Sequence, residues 1–260
     1  GVEFNSTGDP VHYVRNPKGV SAQDQKKLVN TITALDRHRN LTINDPETDT
    51  RIAAYEMAFK MQTSVPELMD VSKEPQHILD MYGAVPGDGS YASNCLLARK
   101  LAEKGVRFIH LYHRGWDHHG GLEKYMDTCC QLTDKPTWAL IQDLKQRGML
   151  DDTLVIWGGE FGRTPMWENR LGIQNSPGRD HQGDAFTMWM AGGGIKKGAV
   201  HGKTDEIGYS GIEGRVSVHD IQATILHLLG FDHEQFTYDF QGRPFRLTDI
   251  AGNVIQEILA

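Results

Sequence analysis

The run VRFIHLYHRGWDHHGG (residues 106–121) decides how the second half of the chain is read. Its first eight residues are rich in β-branched and aromatic side chains, which fit a pleated strand. The remainder is a Gly-flanked turn presenting Asp117, His118 and His119. Outward from it, TLVIWGG (153–159), AFTMWMAGG (185–193) and VSVH (216–219) repeat the short β-rich run, and a helix is expected around 121–147. Strands alternating with helices have the rhythm of βαβ units, so the expected fold class is α/β with a mostly parallel sheet. In such sheets ligands bind outside the carboxyl ends of the strands, which directs attention to the loops after these runs.

The first half reads differently. Residues 1–20 are rich in Gly, Pro and Asn and read as an extended arm, and SAQDQKKLVNTITALDRHRN (21–40) carries apolar residues at helical spacing. A second helix is expected over 46–64, with Ile52, Tyr55, Ala58, Phe59 and Met61 near one face and Pro66 ending or interrupting it. GAVPGDGS (83–90) is a loop, and SNCLLARKLAEKG (93–105) is an amphipathic helix that buries Cys95. The expectation is one domain over 1–260, mainly helical and loop in 1–85 with an α/β core in 86–260.

Composition narrows the function classes. The 260 residues can bury a full core, and 39% hydrophobic with 23% charged residues is ordinary for a globular chain. A net charge of −7 without a basic stripe argues against a nucleic-acid partner. An anionic substrate would need a local positive charge, from metal ions or aimed arginines. No apolar run is long enough for a membrane helix. Cys95, Cys129 and Cys130 form no disulfide framework. The first residues hold no initiator Met and no signal core, so the chain reads as the C-terminal portion of a longer precursor.

Three loops carry groups able to bind metal. The first offers Asp117 and His119. The second, Glu160-Phe161-Gly162-Arg163-Thr164-Pro165, sends a carboxylate out of a strand with an arginine close behind, whose planar fork suits two oxygens of a phosphate or sulfate. The third, Gly178-Arg179-Asp180-His181, adds an imidazole beside a second carboxylate. Each loop alone has a structural reading, as a hydrogen-bonded turn or an internal ion pair. If they converge, they could hold one or two divalent ions. AGGGIKKG (191–198) lacks the spacing of a phosphate loop and reads as a turn. Among the other histidines, His201 and His219 are the first to check. Asn5-Ser6-Thr7 and Asn40-Leu41-Thr42 match the glycosylation triplet, a pattern common by chance.

The strings NCLLARKLAEKGVRF, GWDHHGG, LVIWGGEFGRTP, GRDH, MAGGGIKKGAVHGKTDEIG and VHDIQATILHLLG closely resemble the domain-of-unknown-function 1501 family, a branch of the alkaline phosphatase and sulfatase superfamily. The resemblance implies a three-layer α/β/α sandwich of alkaline-phosphatase-like type, lacking its N-terminal part. It implies Asp117, His119, Glu160 and His181 as metal ligands, zinc first with calcium or manganese next. Arg163 becomes the candidate catalytic residue, and Arg163 with Arg179 the candidates for gripping nonbridging oxygens. The implied activity is metal-dependent hydrolysis of small-molecule or polysaccharide sulfate or phosphate esters, with the nucleophile supplied from upstream, and the implied location is outside the cytoplasm.

Three features depart from the superfamily pattern. Glu stands at 160 for the usual Asp and is followed by Phe161, the Asp117-x-His119 spacing is short, and no Cys/Ser-x-Pro-x-Arg signature occurs. Two alternatives follow: a metal-binding or scaffold protein without turnover, and a dinuclear hydrolase that uses a metal-activated hydroxide.

Overall fold

The computed structural model describes residues 3–5, 15–43, 45–168 and 177–260. Residues 6–14 of the expected N-terminal arm, with Ser6 and Thr7, lie outside the described residues. Two compact units are formed: one from the residues up to His113 with Leu132–Leu140, the other from Arg114–Gln131 and Ile141–Ala260.

In the first unit, α1 (Ala22–Ile43) and α2 (Pro46–Met69) make a helical hairpin. Its turn is set locally. The Asp45 backbone N–H donates to Asn40 Oδ1 at 2.7 Å, and the Asp45 carboxylate caps α2 by accepting from the Glu47 N–H at 3.0 Å. Pro46 then occupies the first helical position, where no N–H is needed. α2 continues through Pro66, which lies in its last turn and does not end it. Of its expected apolar face Ile52 is buried, while Tyr55 and Ala58 are exposed.

α3 (Gln76–Tyr82) ends on Gly83, whose φ of 71° is a left-handed cap, and α4 (Tyr91–Glu103) starts at Ser90. The loop between them is pinned by Asp88, which accepts from the Ser90 N–H at 2.9 Å and the Ser93 hydroxyl at 2.7 Å. Tyr82, Cys95, Leu96 and Ala139 are fully enclosed here, and each large apolar side chain so buried contributes about 1.5–3 kcal/mol. Burial pushes the Cys95 thiol up to about 12, so it packs as an apolar residue. Arg99 is also enclosed, 2% exposed, between Glu74 and Glu103.

α5 (Leu122–Gln146), the helix expected around 121–147, gives its middle to the first unit and its ends to the second. The second unit continues with β1 (Val155–Trp157), β2 (Gly162–Arg163), β3 (His181–Gln182), β4 (Trp189–Ala191), β5 (Lys203–Thr204) and β6 (Gly211–Glu213). α6 (Val218–Leu228), β7 (Thr237–Phe240) and β8 (Arg243–Arg246) complete it. β1 pairs with β4, β2 with β3, β5 with β6 and β7 with β8. All four pairs are antiparallel and two-stranded, so the expected three-layer α/β/α sandwich with a mostly parallel sheet is not the fold among the described residues.

Three details explain the correction. Parallel neighbours need a crossover, usually a helix, whereas the connection from β1 to β4 contains the β2–β3 ribbon. Residues 106–113 have strand-like composition but form no strand, and Phe108 and Tyr112 are 67% and 83% exposed. Residues 216–219 are the entry to α6: Ser217 Oγ accepts from the Asp220 N–H, and the Asp220 carboxylate accepts from the Ser217 N–H at 2.7 Å. Ser-x-x-Asp is thus a capping box. Partial burial pushes the Asp220 carboxyl up, but hydrogen bonds from Ser217 and Asn253 outweigh it and hold its pKa below the usual value.

Among the described residues no helix is long and apolar enough to cross a membrane.

Candidate metal centre

The centre is built from the 114–121 turn and the β2–β3 ribbon, all in the second unit. In the ribbon Arg163 stands directly across from His181, and Gly162 across from Gln182. The turn is stitched to the segment before β3. Gly120 bridges Pro177, the Leu122 N–H donates to Pro177 O at 2.9 Å, and the Arg179 N–H donates to His118 O at 2.9 Å. Gly178 lies so close to the His119 and Gly120 backbone that an added Cβ would fall on it. Convergence therefore comes from an antiparallel ribbon and backbone bridges, not from the carboxyl ends of parallel strands.

Three side chains meet at one point. Asp117 Oδ1 is 2.9 Å from His119 Nε2 and 2.9 Å from His181 Nε2, and the two imidazole nitrogens are 3.1 Å apart. Donor atoms bound at about 2.0–2.1 Å to one ion lie roughly 3.0–3.4 Å apart, so this near-equilateral triangle has the size of one face of a coordination shell. On its far side, His119 Nδ1 is 2.6 Å from Glu168 Oε2. A proton on Nδ1 there leaves Nε2 with its lone pair toward Asp117, two acceptors at 2.9 Å, a contact that a cation between them makes favourable.

The surrounding charges suit this arrangement. The hydrogen bonds from His181 and then from Arg163 hold the carboxyl of Asp117, 65% exposed, down to about 2. Arg163 donates to Asp117 Oδ1 at 2.8 Å, to Arg179 O at 3.2 Å and to Trp116 O at 3.3 Å. It is therefore tied to the ligand loops. The Arg179 side chain has no hydrogen bond or ion pair with a described residue. Phe161 packs on His181, ring centroids 4.5 Å apart, and covers one side of the imidazole.

Two overlapping groups of donor atoms able to hold a metal share His119: Asp117, His119 and His181, and His119, Glu168 and Asp180. Of the four ligands expected, the structure brings Asp117, His119 and His181 together. Glu160 is exposed in the turn before β2 and belongs to neither group. Asp180, noticed as the carboxylate beside His181, accepts from the His181 backbone N–H at 2.8 Å. Glu168 was not singled out by sequence. It sits in MWEN with no periodic pattern, and only its two-way backbone pairing with Gly178 carries it to the centre. His201 and His219 are in neither group.

Over residues 1–259 the chain matches the family model described as protein of unknown function (DUF1501). The chain belongs to that family. The match reaches the DUF1501 family and no further, so it leaves the alkaline phosphatase and sulfatase group an expectation of sequence. No curated protein and no solved structure matches the chain. In this DUF1501 chain the GWDHHGG and GRDH strings supply all three atoms of the triangle, whereas GGEFGRTP contributes the tethering Arg163.

Proposed function

We propose that the chain is a divalent-metal hydrolase of phosphate or sulfate esters, with its ion held by Asp117, His119 and His181. The observation that carries the reading is the triangle of Asp117 Oδ1, His119 Nε2 and His181 Nε2, with edges of 2.9, 2.9 and 3.1 Å. Two imidazoles with one carboxylate suit zinc first and manganese or iron next, while calcium, which prefers an all-oxygen shell, suits it least. When bound, such an ion would acidify a coordinated water and polarise an ester oxygen. The chain's own residues do the rest. Arg163 holds Asp117 and the loop carbonyls in place, Phe161 shields one face of His181, and the Arg179 guanidinium, which meets no partner among the described residues, is available to an anionic oxygen.

The test starts with metal content after purification without chelator, then turnover of an aryl phosphate, a diaryl phosphate and an aryl sulfate. Stoichiometric metal is expected, with hydrolysis of one of these esters lost in both Asp117→Ala and His181→Ala. Metal-free protein whose melting temperature ignores added zinc and manganese would sink the reading.

A second reading, metal binding without turnover, is favoured by one observation. Among the described residues no hydroxyl or thiol is hydrogen-bonded to Asp117, His119 or His181. It predicts metal binding with no hydrolysis of any of the three esters.

A further inference from the structure

We propose that Glu168 is the positioning residue of the centre: it fixes His119 in the Nδ1–H tautomer and so aims the Nε2 lone pair at the metal. This rests on the metal reading given above.

The two donor groups around His119 differ in a way that assigns them different roles. On the Nε2 side, nearest donor atoms are 2.9 and 3.1 Å apart, the spacing expected of neighbours around one ion. On the Nδ1 side, Glu168 Oε2 is at 2.6 Å. That is shorter than the roughly 3 Å or more between two atoms sharing an ion at about 2.0–2.2 Å, and it is the length of a charge-assisted hydrogen bond. A proton fits there and a cation does not. Asp180, third member of that group, already accepts from the His181 N–H.

Glu168 is also held for the task. Its N–H donates to Gly178 O at 3.1 Å and its carbonyl accepts from the Gly178 N–H at 2.8 Å. Gly178 in turn abuts the His119 backbone, so carboxylate and imidazole are carried by segments in direct backbone register. The Glu168 side chain is 15% and the His119 side chain 13% exposed, so water competes little for the bond. A carboxylate on the far nitrogen of a ligating histidine fixes its ring and raises its basicity, and its loss commonly lowers metal affinity about 10–100-fold.

The experiment has two arms. In chelator-treated protein labelled with 15N-histidine, long-range proton–nitrogen correlation reads the His119 tautomer, assigned with His119→Gln. Competition titration with zinc then compares the wild type with Glu168→Gln. The expected result is Nδ1–H in the wild type and zinc affinity about 10–100-fold weaker in the variant. An Nε2–H tautomer in the wild type overturns the proposal, as does unchanged zinc affinity in Glu168→Gln. Two zinc equivalents of which Glu168→Gln loses one would also overturn it, because Glu168 would then be a ligand. If the wild type binds no zinc, the metal reading fails, while the tautomer arm, which needs no metal, still tests whether the His119 proton facing Glu168 sits on Nδ1.

Discussion

Two charged clusters in this chain share a vocabulary of carboxylates facing cations and differ in what they leave open. Around Arg99 the two ends of the guanidinium are paired inside the fold. The guanidinium, 2% exposed, lies between Glu74 and Glu103, and Lys100 adds a contact to Glu74 at 3.6 Å and a hydrogen bond to Asp70 O at 2.8 Å. Around Asp117 the charges face one another at the surface: Arg163 reaches Oδ1 at 2.8 Å, and the His119 and His181 Nε2 atoms approach the same oxygen at 2.9 Å each. The first arrangement holds a helix in place. The second keeps binding capacity in reserve.

The sharpest way to break the contrast is at Arg99. Arg99→Ala removes an enclosed guanidinium and leaves Glu74, 12% exposed, with Lys100 as its remaining cation, and is expected to cost about 3–5 kcal/mol in urea unfolding, whereas Asp117→Asn, at a 65% exposed carboxylate, should cost at most about 1 kcal/mol without metal. Comparable losses from the two would erase the distinction. Next in size is linkage: zinc at about 100 times its dissociation constant should stabilise the wild type by about 2.7 kcal/mol and His181→Ala not at all, while Arg99 variants keep the zinc increment.

Asp220 supplies a smaller effect with a defined sign. Its folded pKa is lowered, so its contribution is present above the unfolded value near 3.8 and is lost as pH falls through the folded value. Asp220→Ala should cost about 1 kcal/mol at pH 7 through the lost capping box and the tie to Asn253, and should flatten the stability profile below about pH 4. The smallest effect belongs to Arg37, paired with Glu56 at 3.2 Å on the exposed helical hairpin. Arg37→Ala should change stability by less than about 1 kcal/mol, and less still in high salt.

The three residues of the triangle and the main helices are legible in the sequence, and the sense of the sheet is not. α1, α4 and α5 follow from apolar spacing and caps, which are local properties. The runs containing β1 and β4 were visible, but their direction was not, because strand composition records fit to a pleated surface and not the partner or its sense. Asp117, His119 and His181 stood out because imidazole and carboxylate cluster in Gly-flanked turns. Glu160 stood out for its place after a strand, yet lies outside the donor groups, and Glu168 was invisible because 49 positions and a backbone bridge separate it from His119. VSVH looks like a strand because its two valines mask a Ser-x-x-Asp box.

Gly178 sets the gauge of the centre. Because the His119 and Gly120 backbone occupies the place of its missing side chain, the gap between the two ligand-bearing segments is fixed by main chain, independently of the groups displayed on it. Donors can then be exchanged one for another, to retune which ion is preferred, without resetting their spacing. Adding a single methyl group at Gly178 would push the two segments apart and open the triangle of Asp117, His119 and His181 while every side chain kept its identity.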